Sequence, residues 1–236
     1  MLQISHLNVQ RGEGTQAFSV SLPHLQLVRG EVAAITGPSG CGKSTLLEMV
    51  GLILAPDQVA AFQLGTDDSL DIAALLKRKQ QEALAGVRAR YLGFVLQTGG
   101  LLPYLSVRQN LELPRRLARL PRSSNLIQHT IERLGLQHLL DKKPHQLSIG
   151  ERQRSAFVRA IAHEPILLLA DEPTAALDPV QASKLFDLIV EISRNFNIAA
   201  LIVTHDWDLV RNRGIRNISG HPLSANKRGT EFRDCP

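Results

Sequence analysis

Nine consecutive residues, Gly37, Pro38, Ser39, Gly40, Cys41, Gly42, Lys43, Ser44 and Thr45, have the types and spacing to cradle a polyphosphate. Glycines let a backbone wrap closely with its N–H groups pointing inward. An ammonium at Lys43 can bridge phosphate oxygens, and the Ser44 hydroxyl is a suitable hard ligand for Mg²⁺. The segment follows an apolar strand candidate over 31–36 and opens into a helical pattern over 46–50. Strand, loop and helix are the context this motif needs, and the helix N-terminus adds partial positive charge. An ordinary Gly-rich turn has no reason to carry Lys-Ser-Thr in register between two apolar flanks. The pattern predicts binding of a nucleoside triphosphate with Mg²⁺.

A second group of polar residues closes the buried run over 166–170. Asp171 and Glu172 stand at its end, where ligands bind in open parallel sheets. Asp171 suits Mg²⁺, directly or through a water, and Glu172 suits the water that attacks a terminal phosphate. The bland alternative is a pair of acids capping a strand. Further upstream, Ser148-x-x-Glu151 is a capping box that starts a helix over 151–163. Such a helix end also offers N–H groups to a second phosphate.

The elements that must position these groups follow from the hydropathy pattern. Residues 2–9 and 18–22 alternate and predict antiparallel strands with one wet face. The runs over 166–170 and 199–203 are continuously apolar, as in parallel strands covered on both faces. Helical patterns cover 72–87, 106–120, 125–140, 151–163 and 179–194, and Pro103, Pro114, Pro121 and Pro144 punctuate the middle of the chain. After Ile218 the chain turns polar around Lys227 and Arg228 and is expected to trail off as a tail.

Composition narrows the partners. With 236 residues the chain can bury a substantial core, and a net charge of +5 suits phosphate-bearing ligands or anionic surfaces. Aromatic residues make up 4% of the chain and are not interleaved with basic ones, so no nucleic-acid partner is expected. No apolar run reaches membrane-spanning length and no signal pattern opens the chain, which predicts a soluble protein with membrane contact only through a partner. Cys41 and Cys235 are expected as free thiols. Arg115, Arg116, Arg119 and Arg122 form a basic stretch, read as a solvated helix face or as a contact with anionic lipid or an acidic loop.

The order phosphate loop, Gln97, Leu-Ser-Ile-Gly-Glu at 147–151, Ala-Asp-Glu-Pro-Thr at 170–174, Ala-Leu-Asp at 176–178 and Thr-His at 204–205 resembles the nucleotide-binding subunits of ATP-binding cassette (ABC) transporters. Ile149–Arg154, 169–174 and 92–103 resemble the lipoprotein-release and macrolide-export group within them. The resemblance implies an α/β fold: a P-loop NTPase core with a mixed or parallel sheet, an N-terminal antiparallel β-subdomain and an inserted helical subdomain over about 98–162. It implies one ATPase domain over 1–222 and a polar tail over 223–236.

What the resemblance implies for the site is specific. Gln97 becomes a switch residue linking the γ-phosphate and Mg²⁺ to the helical insert, beside Ser44 and Asp171 as metal ligands. Ser148, Gly150 and Glu151 contact ATP held by a second copy, Asp178 crosses the interface, and His205 meets the γ-phosphate and the attacking water. Lys43, Gln97, Glu172 and His205 form the catalytic set. The expected assembly is a homodimer around two MgATP on the cytoplasmic face of a membrane. There it drives a separate permease, as an exporter. An ATP-gated signalling clamp and a soluble ATPase acting on nucleic acid are the alternatives from other classes. Two departures stand out. The adenine-stacking aromatic common after the first strand is replaced by Val9-Gln10-Arg11, leaving Arg11 as a candidate stacker. Ile149 replaces a glycine, so its backbone must be ordinary for the site to work.

Overall fold

The computed structural model describes residues 1–65, 69–223 and 228–234. Strands β1 (Leu2–Arg11) and β2 (Phe18–Leu27) form the long antiparallel pair that the alternation predicts. They are followed by β3 (Val32–Thr36), helix α1 (Lys43–Val50), and the short strands β4 (Ala61–Leu64) and β5 (Leu70–Asp71). The pattern over 72–87 is two helices, α2 (Ile72–Lys77) and α3 (Gln81–Tyr91). The polar stretch between them turns the chain, with Lys79 at φ 52°. Strand β6 (Leu92–Val95) then leads into the helical insert of α4 (Val107–Leu117), α5 (Asn125–Arg133) and α6 (Ile149–Ile161). The pattern over 125–140 stops early because Gly135 adopts φ 63°. Pro114, expected to punctuate, lies inside α4, which forgoes one backbone bond there. The chain closes with β7 (Leu167–Asp171), α7 (Pro179–Asn195), β8 (Ala199–Val203), α8 (Trp207–Arg211), β9 (Arg216–Pro222) and β10 (Gly229–Asp234).

The ten strands of the described residues join in one mixed sheet, ordered β5-β4-β1-β2-β10-β9-β3-β8-β7-β6. Strands β9, β3, β8, β7 and β6 run parallel, and the antiparallel β1–β2 pair is attached to them through β10. The continuous apolar runs are explained by burial on both faces. Ala33, Ile35, Leu167, Leu169, Leu201 and Val203 pack with α1 on one side. Their neighbours Val32, Ala34, Leu168, Ala170, Ala200 and Ile202 pack with Phe157, Phe186 and Ile189 on the other. A third cluster, including Val107, Leu111, Ile127, Leu136 and Val158, gives the helical insert a core of its own.

The expected tail is corrected by the structure: β10 lies inside the sheet, between β2 and β9, with Phe232 fully buried and Thr230 nearly so. Only two inward positions alternate in Gly-Thr-Glu-Phe-Arg-Asp, too few to announce a strand. Arg216 fastens it, pairing with Asp234 at 2.7 Å and Glu31 at 2.8 Å. We expect Phe232→Ala to cost about 3–5 kcal/mol in urea unfolding, as a core truncation does. A cost near zero would mean a dispensable strand. Cys235 and Lys227 lie outside the described residues. Among those described, no helix is long and apolar enough to cross a membrane.

The basic stretch divides. Arg116, Arg119 and Arg122 are exposed. Arg115 is instead 2% exposed, against the expectation of a solvated face. It bonds Glu164 at 2.7 Å, the Ala162 carbonyl at 2.7 Å and the Pro121 carbonyl, so it is an internal strut of the helical insert.

Candidate active site

The phosphate loop joins β3 to α1. Gly42 stands at its inner wall with φ 95°, where a Cβ would come within 2.5 Å of Val20 Cγ2 on β2. A Cβ on Gly37 would meet the Cys41 sulfur at 2.8 Å, so Cys41 is a small, buried, free thiol filling the loop. Pro38, Ser39, Gly40 and Ser44 are exposed along its mouth, with Thr45 half-buried behind them. No side chain caps α1, so its first N–H groups stay available to an anion. Lys43 is 7% exposed, and its Nζ donates to the carbonyls of Gly37 and Pro38 at 2.9 Å each. The ammonium is therefore already held inside the loop.

Across from it, β7 ends at Asp171, and Glu172 is the first residue of the loop that follows. Burial raises the Asp171 carboxyl above its ordinary range, opposed by a hydrogen bond from Ser44 and reinforced by the neighbouring charge of Glu172. Lys43 acts in the lowering direction. Among the described residues no cluster of three His, Cys, Asp or Glu side chains could hold a metal by itself. Ser44 and Asp171 would supply oxygen ligands to Mg²⁺, which ordinarily completes its shell with waters and substrate phosphate oxygens. Glu172 adopts φ 47°, a left-handed conformation that is costly for a side-chain-bearing residue and typical of active sites. Its Oε1 accepts from His205 Nδ1 at 3.1 Å and its Oε2 from Gln97 Nε2 at 3.4 Å. Residues 97, 172 and 205, distant in sequence, thus meet on one carboxylate.

The second group is built separately. Ser148 caps α6 and exchanges both bonds of the box with Glu151, at 3.2 Å and 2.7 Å. The Ser148 N–H holds the Glu151 carboxyl below its ordinary range. Ile149 opens α6 with ordinary backbone and an exposed side chain, which removes the geometric objection to it. Gly150 faces Leu177, and Asp178 caps α7 through the N–H groups of Val180 and Gln181. Among the described residues no hydrogen bond or ion pair joins Ser148, Gly150 or Asp178 to Lys43, Glu172 or His205. Arg11, the candidate adenine stacker, lies 3.6 Å from Glu48 on α1.

Two residues that sequence reasoning missed hold the loops. Gln153 Nε2 donates to the Pro173 carbonyl at 2.8 Å, and Arg159 Nη1 to that of Gly100 at 3.1 Å. The available signal for Gln153 was a polar residue at helical spacing on the same stripe as Ala156, Phe157 and Ala160.

Comparison with known proteins agrees with this geometry. Residues 21–175 match the sequence model of the ABC transporter family. The chain is 41% identical over 189 residues to the lipoprotein-releasing system ATP-binding protein LolD of Paramagnetospirillum magneticum, covering 79% of this chain and 80% of that one. It is 42% identical over 184 residues to LolD of Legionella pneumophila strain Paris, covering 77% and 78%. Among solved structures, it is similar to the dimeric post-hydrolysis state of the ATP-binding cassette MJ0796 bound to ADP and Pi. That match has a TM-score of 0.77, 29% identity and coverage of 93% and 94%. A phosphate loop facing paired acids, on the sheet of an ATP-binding cassette, makes this chain a member of the ABC transporter family: an ATP-binding subunit whose ATP hydrolysis is coupled to transport.

Proposed function

We propose that two copies close head-to-tail around two MgATP and that their opening and closing drives a separate membrane-embedded partner in releasing lipoproteins. Docked on that partner, the subunit works at the cytoplasmic membrane face. The carrying observation is the convergence of Gln97 and His205 on Glu172, while among the described residues no hydrogen bond joins the phosphate loop to the chain's own Ser148. The loop covers one side of a triphosphate, and the capped end of α6 supplies a second surface that only another copy can bring to it. A head-to-tail pair related by two-fold symmetry forms two such sites and closes on itself. The similarity to LolD from several bacteria supports lipoprotein release, in place of general export, as the transport step.

In this reading Lys43 and the loop N–H groups hold the β- and γ-phosphates. Ser44 and Asp171 hold Mg²⁺, which when bound draws charge from the phosphate oxygens. Glu172 orients the attacking water and takes its proton as the new P–O bond forms and the bond to the β-phosphate breaks. His205 and Gln97 fix the carboxylate, and Ser148, Gly150 and Glu151 of the second copy close over the γ-phosphate. Asp178 caps α7 at the rim of that interface.

The test compares Glu172→Gln with Glu172→Gln carrying Ser148→Arg. ATP with Mg²⁺ is expected to convert the first into a dimer in size-exclusion light scattering and to leave the second monomeric, both binding ATP. A second variant that dimerises equally well would sink the shared-site reading.

A further inference from the structure

Helix α6 is packed against both loops that carry the catalytic side chains, and one buried carboxamide on it bonds the loop of Glu172. Gln153 is 3% exposed, and its Nε2 reaches the carbonyl of Pro173, the residue after Glu172. One turn earlier, a Cβ on Gly150 would lie 3.3 Å from Leu177 Cδ2 in the same loop. On the other side, a Cβ on Gly99 would stand 3.7 Å from Ala156 Cβ and 3.9 Å from Gln153 Oε1. Arg159 holds the next carbonyl, that of Gly100. The loops following Gln97 and Glu172 are thus seated on one helix, and the Gln97 and Glu172 side chains meet at 3.4 Å.

A carboxamide on this stripe is not what packing alone selects. Its neighbours Ala156, Phe157 and Ala160 are apolar and buried, and a buried amide is costly unless bonded. Methionine has similar length and no desolvation to recover. The donor of Gln153 is spent on a loop carbonyl one residue from the general base.

We infer that Gln153 is a positioning residue for hydrolysis. It ties the helix whose first turn bears Ser148 and Gly150 to the loop that bears Glu172. When the first turn of α6 engages the nucleotide of the second copy, the same rigid helix sets Glu172 in its own site. The transmission part rests on the shared-site reading above; the positioning of Glu172 does not.

The experiment uses the full chain with Gln153→Met and with Gln153→Leu, both of which remove the donor and keep a side chain of similar size. Steady-state phosphate release is expected to show kcat lowered about 10- to 100-fold with KM within about twofold, as for a misplaced catalytic group. Placed in the Glu172→Gln background, the same substitutions are expected to leave ATP-driven dimerisation at the parent concentration. A kcat within about twofold of parent, or a kcat loss that tracks a loss of dimer, overturns the inference. So does failure of both variants to unfold cooperatively, because Gln153 is then a packing residue. If Glu172→Gln with native Gln153 forms no ATP dimer, the shared-site reading fails by itself, and the kcat arm still decides the position of Glu172.

Discussion

Glu172→Gln is expected to lower kcat about a thousandfold, within the range for loss of a general base, while ATP affinity stays within about twofold. The substitution preserves shape: the glutamine side chain fits the same left-handed backbone and can still accept one bond from His205 or Gln97. What disappears is basicity. In the native site both carboxylate oxygens are engaged, by His205 at 3.1 Å and Gln97 at 3.4 Å. The carboxylate is therefore oriented before substrate arrives, and its strained φ of 47° is the cost of aiming it. A residue that only capped β7 would tolerate the amide. The readout is phosphate release at saturating ATP beside equilibrium nucleotide binding. Retention of more than about a tenth of parental kcat would remove Glu172 from the role of base.

Most of the chemistry was legible because it is local. The phosphate loop, the Asp171-Glu172 pair and the Ser148–Glu151 box each announce themselves within a few residues, and burial on both faces explains the apolar runs of β7 and β8. What the sequence hid depends on partners far along the chain. Strand β10 has two inward residues and earns its place only between β2 and β9, so its segment read as a tail. The breaks at Lys79 and Gly135 follow from backbone conformations at single residues inside otherwise helical patterns. Arg115 looked like one more surface cation, yet its guanidinium is consumed by Glu164 and by carbonyls that only tertiary structure brings to it. Gln153 is the same case within the site, a polar letter in a polar run that the fold places on the dry side of α6. Resemblance could order Gln97, Glu172 and His205 along the chain, but their meeting on a single carboxylate needed the sheet.

Lys43→Met separates nucleotide binding from fold stability. We expect ATP affinity to fall about 100-fold or more, since two charge-assisted bonds to phosphate oxygens are worth roughly 3–4 kcal/mol together. Turnover at ordinary ATP concentrations falls with it. The unliganded protein, by contrast, is expected to melt within a few degrees of the parent. In it Lys43 is 7% exposed and its ammonium bonds the Gly37 and Pro38 carbonyls, so its removal also removes the cost of keeping a charge out of water. The two effects are read in one experiment: thermal melting with and without ATP and Mg²⁺. The parent is stabilised by ligand in proportion to RT ln(1 + [L]/Kd), and the variant loses that increment while keeping its baseline. A large fall in the unliganded melting temperature would instead assign Lys43 to holding the loop's shape. An unchanged ligand increment would show that the loop's N–H groups and the N-terminus of α1 bind the phosphates without it.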